Sequence, residues 1–226
     1  YSIVIFFYNQ YMPELPEAQT IINNLLKAKI TSSKITKVEF FNTKVLKNCT
    51  PNEFSKFLIN EKITDIERIG KYIIFKLTHN KQMVVHLRME GKLFYESMSK
   101  QLEKRFLMLS IQFANKHRLS YYDMRMFGTF HIFSDNKHLI SKEIKKVAID
   151  PLNSKFNGKY LMDRCKNISK AIKTTLLDQT IVSGIGNIYA DEILFASKIY
   201  PLTKPKELSK QDFDNIDKNA KKILKE

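Results

Sequence analysis

The chain has 226 residues, 43% of them hydrophobic, and a formal net charge of +15. That apolar share belongs to a globular protein with a core and excludes a largely disordered chain. Such a basic excess points to a polyanionic partner, with nucleic acid first, although a lysine-rich composition inherited from an AT-rich genome gives the same charge.

The two cysteines, Cys49 and Cys165, lack a C-x-x-C spacing. They fit a reducing, cytoplasmic compartment and are too few for an internal four-cysteine zinc site. No apolar run reaches membrane-spanning length. The opening YSIVIFFYNQY has neither the basic front nor the cleavage site of a signal peptide.

In chain order, Ala18, Ile21, Ile22, Leu25 and Leu26 repeat at helical spacing. Thr50, Pro51 and Glu53 spell the capping box of a second, short helix. Strand-like runs follow over 62–68, 72–77, 83–87, 106–113, 118–122 and 129–133, separated by polar turns such as His79-Asn80-Lys81. From Asp150 the periodicity becomes helical, with helices expected over 168–177, 187–197 and from Ser209 to the end. The last shows no stop signal. The expected class is α+β: an N-terminal β-sandwich with flanking helices, then a helical domain.

Five constellations carry chemistry. The first is Pro13-Glu14-Leu15-Pro16-Glu17 after Met12. If Met12 is the initiator and is trimmed, Pro13 becomes a free secondary amine that titrates near neutrality. Such an amine condenses with a sugar C1′ to an iminium. Glu14 is then the proton donor or acceptor, and Glu17 a supporting carboxylate. The same residues fit a proline-bounded helix start with acids at its positive end.

The second is Arg68-Ile69-Gly70-Lys71-Tyr72, where Gly70 breaks a strand pattern and Lys71 stands at the turn. Lys71 either reaches a phosphate or sugar oxygen or is simply solvated. The third and fourth are His86–Lys92 and Asp123–Gly128, two loops that pair an apolar side chain with arginine. Exposed, Met89 and Phe127 beside Arg125 suit insertion into a base stack. Buried, the apolar pair is core, with Arg125 bound to Asp123.

The fifth is Asp178–Glu192, centred on Gly184-Ile185-Gly186-Asn187. Two glycines end one helix, and Asn187 opens the next. The free N–H groups there form an anion site, and Asn187 can donate to a phosphate. The alternative is a helix hairpin with Asn187 as N-cap.

Together, M-P-E-L-P-E, G-K-Y, H-L-R-M-E-G-K-L, D-x-R-x-F-G, D-P-L and G-I-G-N-I-Y-A-D-E resemble formamidopyrimidine-DNA glycosylase, in order from Met12 to about Lys210. Leu15 favours this branch over the endonuclease VIII group. The resemblance implies a catalytic β-sandwich domain over 13–146 and a helix–two-turn–helix DNA-binding domain over 147–226, after a 1–12 extension. It implies Pro13 as nucleophile, Glu14 as general acid/base, Glu17 in support, and Lys71 in catalysis and phosphate binding. Met89, Arg125 and Phe127 would fill the void left by a flipped base, and Asn187 would hold a phosphate.

The implied reaction is excision of 8-oxoguanine and formamidopyrimidines, followed by β- and δ-elimination through the iminium. The implied partner is damaged double-stranded DNA, met by a bacterial cytoplasmic monomer. Three departures stand out. The eleven residues before Met12 would tie the Pro13 nitrogen into an amide. Met126 replaces a commonly basic residue. The family's zinc finger would lie beyond Glu226, so no cofactor is expected within the chain. The alternative function is a catalytically inactive damaged-DNA-binding protein of the same fold.

Overall fold

The computed structural model describes residues 13–225. The expected 1–12 extension and Met12 lie outside the described residues. The chain forms two compact units. The first comprises Glu17–Arg68 and Tyr72–Ser141, with Pro13. The second comprises Lys142–Glu226 together with two short excursions, Glu14–Pro16 and Ile69–Lys71.

The first unit is a β-sandwich. Helix α1 (Leu15–Lys27) enters it, and β1 (Ile35–Phe40) and α2 (Pro51–Leu58) follow. Then come β2 (Ile63–Ile69), β3 (Tyr72–Leu77), β4 (Lys81–His86), β5 (Lys92–Ser97), β6 (Leu107–Phe113), β7 (His117–Tyr122) and β8 (Thr129–Ser134). Two four-stranded sheets have the orders β1-β6-β7-β5 and β2-β3-β4-β8. Their inner faces supply one core. Ile73, Phe75, Met83 and Val85 come from one sheet, and Leu93, Leu109, Ile111, Leu119 and Tyr121 from the other. The period-2 alternation of these residues is what fixes the register.

Helix α2 starts as its sequence dictates. Thr50 accepts from the Glu53 N–H, and Glu53 accepts from the Thr50 N–H. Such a cap contributes about 1 kcal/mol. The β3–β4 turn places His79 and Asn80 at φ 56° and 52°, the two successive positive values of a tight hairpin turn.

The second unit is helical. It contains α3 (Gly158–Cys165), α4 (Ile172–Leu176), α5 (Asn187–Ala196) and α6 (Lys210–Ile223). Its core joins Leu161, Ile172, Leu176, Ile185, Ile193, Leu194, Phe213 and Ile216, and it includes Leu15 from the first excursion.

Four expectations are corrected. Strands β1 and β5 escaped the sequence reading. β1 has only one fully buried position, and β5 hides Leu93 and Tyr95 among charged and polar residues. Helix α3 was also missed, although Asn157 caps it by accepting from the Tyr160 N–H at 2.8 Å. The helix expected over 168–177 spans only Ile172–Leu176. Its first N–H groups, of Ile172 and Lys173, donate instead to the Thr203 and Pro201 carbonyls, which ends the helix on that side. Finally, α6 does not run on to the end of the chain but closes at Ile223, with Leu224 as its cap.

Candidate active site and DNA-contacting loops

The second unit's two excursions bring candidate residues together that lie far apart in sequence. Gly70 sits at φ 58° between β2 and β3. A Cβ there would press on Val147 at 3.1 Å and Ser183 at 3.2 Å. The turn therefore needs glycine both for its backbone angle and for the close approach. It delivers Lys71, which is buried at 8% exposure rather than solvated.

At the other excursion the Leu15 N–H donates to the Gly184 carbonyl at 3.0 Å. Gly184 has φ 88°, and a Cβ on it would strike the Leu15 side chain. This lock fixes Glu14, which is 2% exposed. The Glu14 carboxylate accepts from the Gly186 N–H at 2.6 Å and from the Ile188 N–H at 3.1 Å. The Tyr189 N–H adds to the same set. A Cβ on Gly186 would collide with the Glu14 carboxyl group, so glycine is the residue that lets the carboxylate reach the helix end.

Burial raises the Glu14 pKa above its ordinary value. The Lys71 charge and the three backbone N–H groups oppose that rise. The group is thus a desolvated carboxylate, held by aligned donors beside a buried cation. Such a group is suited to holding or moving a proton.

The anion site expected at the start of α5 is corrected accordingly. Its N–H groups are already engaged by Glu14 rather than open to a phosphate. Asn187 is not the cap. Gly186 is, and Asn187 is the first residue of α5, with its side chain exposed. The two glycines do not end a helix either, since α4 stops at Leu176. What the sequence reading missed is that the N–H groups of Gly186, Ile188 and Tyr189 serve the Glu14 carboxylate rather than an outside anion. The nearest sequence signal was the glycine spacing itself.

Glu17 lies in the first turn of α1 and is half-buried. Pro13 is likewise half-buried, immediately before Glu14.

In the first unit, the two expected loops are exposed at their tips. Met89 is 40% and Phe127 53% exposed, so neither is core. The Arg125 guanidinium lies over the Phe127 ring, 5.3 Å from its centroid. Arg125 binds Asp123 through its backbone N–H, so the alternative of an Arg125–Asp123 side-chain pair is not what forms. Asp123 is fully buried and accepts from the N–H groups of Arg125, Met126 and Gly128 and from the Tyr121 hydroxyl. A buried carboxylate with four donors holds a loop in one shape.

The cysteines do not fit a zinc site. Cys49 packs at the edge of the sandwich core and Cys165 within the helical core, and burial pushes both thiols up to about 11. Among the described residues no group of three or more His, Cys, Asp or Glu is placed to hold a metal. Among them, too, no helix is long and apolar enough to cross a membrane.

Comparison with known proteins agrees with this architecture. The family described as "Formamidopyrimidine-DNA glycosylase N-terminal domain" matches residues 12–130, and the "Formamidopyrimidine-DNA glycosylase H2TH domain" matches 147–226. A formamidopyrimidine-DNA glycosylase of Ureaplasma parvum is 49% identical over 94% of this chain and 77% of its own length. One from Mycoplasma pneumoniae is 44% identical over 95% and 77%. The crystal structure of the Lactococcus lactis enzyme bound non-covalently to DNA with an abasic site superposes with a TM-score of 0.87. It is 32% identical and covers 94% of this chain and 80% of its own.

A β-sandwich followed by a helix–two-turn–helix unit, with this ancestry, defines a DNA glycosylase of base excision repair. The chain belongs to the formamidopyrimidine-DNA glycosylase family.

Proposed function

We propose that this chain excises oxidised purines, 8-oxoguanine and formamidopyrimidines, from double-stranded DNA and then cleaves the strand. The observation that carries the proposal is the buried Glu14 carboxylate, held on the N-terminus of α5 beside Lys71.

In a chain that begins at Pro13, the proline nitrogen is a secondary amine with a free lone pair. It attacks C1′ of the damaged nucleoside, and the base departs with the electrons of the glycosidic bond. Glu14, poised by opposing burial and donors, moves the proton that the opened sugar requires. The resulting iminium acidifies C2′, whose proton is lost as the 3′-phosphate leaves. A second elimination then releases the 5′-phosphate. Lys71 neutralises charge that develops on the sugar and phosphate, and Glu17 supports the site.

On the DNA side, Met89, Arg125 and Phe127 enter the stack where the lesion is extruded, which offsets part of the cost of unstacking. Asn187 contributes its exposed amide to a backbone phosphate. In this reading residues 13–146 form the catalytic domain and 147–226 the DNA-binding domain, and the protein acts as a cytoplasmic monomer. Excision measured on an 8-oxoguanine duplex tests the assignment. Glu14→Gln should lose most of the activity while still binding the duplex, and a fully active Glu14→Gln would refute it.

A further inference from the structure

Met89 stands on the turn Leu87–Gly91, closed by a 3.0 Å hydrogen bond from the Gly91 N–H to the Leu87 carbonyl. Arg125 and Phe127 stand on the Asp123–Gly128 loop. Both loops come down on Tyr121, a fully buried residue of β7. Its hydroxyl donates to Asp123 Oδ2 at 3.0 Å, and the same oxygen takes the Gly128 N–H at 2.7 Å. On the other loop, Gly91 lies so close that a Cβ would overlap the Tyr121 hydroxyl, and the same holds at Gly128. Phe130 sets the ring edge-on, with centroids 4.8 Å apart. Burial and the neighbouring Asp123 push the Tyr121 pKa up, so the hydroxyl keeps its proton and remains a donor.

We infer that Tyr121 is a positioning residue whose hydroxyl is the common stop for both loops, holding Met89 in fixed relation to Arg125 and Phe127. The inference rests on the proposed reading of these three residues as the wedge. The physical reason is local. Without the hydroxyl, Asp123 loses one of its four donors, and the space beneath Gly91 opens. Each loop then gains freedom separately, and a wedge made of two loops works only when both tips arrive together.

The test reads unstacking rather than turnover, using the full chain and a duplex with 2-aminopurine next to an 8-oxoguanine. Wedge entry raises the fluorescence on binding. Phe127→Ala should suppress that rise. Tyr121→Phe, which keeps the ring, should reduce it by about threefold, and the double variant should be no worse than Phe127→Ala alone. Asp123→Asn, which weakens the same hydroxyl contact from the other side, should reproduce the loss. Tyr95→Phe removes another buried hydroxyl in the same sheet, one that accepts from the Asn115 side-chain amide, and should behave as wild type. A wild-type rise in Tyr121→Phe and Asp123→Asn while Phe127→Ala is impaired would overturn the role of Tyr121 alone. Additive loss in the double variant would make Tyr121 a general stability residue and overturn it too. No effect of Phe127→Ala would overturn the wedge reading and this inference with it.

Discussion

The Gly186 N–H donates to the Glu14 carboxylate at 2.6 Å, across 172 residues of sequence. The residue just before α1 and the start of α5 thereby become one chemical unit. Gly186→Ala should break it, because the new methyl group would come far inside contact distance of the carboxyl carbon. A displacement of about 1 Å at a reacting group costs on the order of 100-fold in rate. Single-turnover excision from an 8-oxoguanine duplex should fall by about that factor, with salt-dependent DNA binding retained. Unchanged excision would mean that this contact does not matter.

Glu14 should also leave a mark on stability. Its folded-state pKa is raised above the ordinary 4.5. The folded protein therefore holds this proton more tightly than the unfolded chain does. The contribution of Glu14 is most favourable below pH 4.5 and declines as pH rises through the folded pKa. Glu14→Gln should consequently melt higher than wild type at pH 7, and the gap should close as pH approaches 4.5. Thermal melts of both proteins across that range check the sign. A gap that widens on acidification would contradict it.

His138 titrates in the opposite sense. It is 2% exposed, packed near Phe133, and burial lowers its pKa below 6.5. Glu67 opposes that shift and Lys76 adds to it. As pH falls through 6.5, the unfolded chain takes up a proton that the folded protein refuses, so stability drops. In His138→Leu that part of the drop should vanish. Denaturant midpoints at pH 7.5 and pH 5.5 measure it, and equal pH sensitivity in the two proteins would count against the account.

The wedge tips should separate function from stability. Met89 and Phe127 are exposed and outside the core, so truncation to Ala removes little core packing and should change stability by less than about 1 kcal/mol. Excision from duplex should fall by about tenfold or more, while processing of a preformed abasic site should fall much less, since flipping costs a few kcal/mol only when a stacked base must be extruded. Equal losses on the two substrates would place these residues elsewhere in the mechanism.

Local signals read well from the sequence. The Thr50–Glu53 box, the His79-Asn80 turn and the Gly70 break each encode a backbone geometry within a few residues, and each appears as written. The helical spacing of Ala18 to Leu25 likewise marks the buried face of α1. What was lost depended on partners remote in sequence. Nothing near Asn187 reveals that a carboxylate 172 residues upstream of Gly186 takes the adjacent N–H groups, so an open phosphate site was the natural expectation. Helix α4 was drawn too long because its first donors are captured by Thr203 and Pro201, beyond any local window. Tyr121 carried no signal of its own, since an inward-facing tyrosine on a strand is ordinary core until its hydroxyl is seen between two glycines.

The central claim is that the Pro13 nitrogen is the nucleophile. An amide nitrogen shares its lone pair with the carbonyl and cannot attack a sugar carbon, so the claim makes activity depend on which residue begins the chain. The decisive measurement is borohydride trapping on an 8-oxoguanine duplex, run in parallel with protein beginning at Pro13 and protein carrying residues 1–12, with the adduct mapped by mass spectrometry. The account predicts a covalent adduct at residue 13 from the Pro13-start protein and none from the extended one. Equal trapping by both forms, or an adduct mapped to Lys71, would contradict it, and no trapping by the Pro13-start form would leave a damage-binding protein without catalysis.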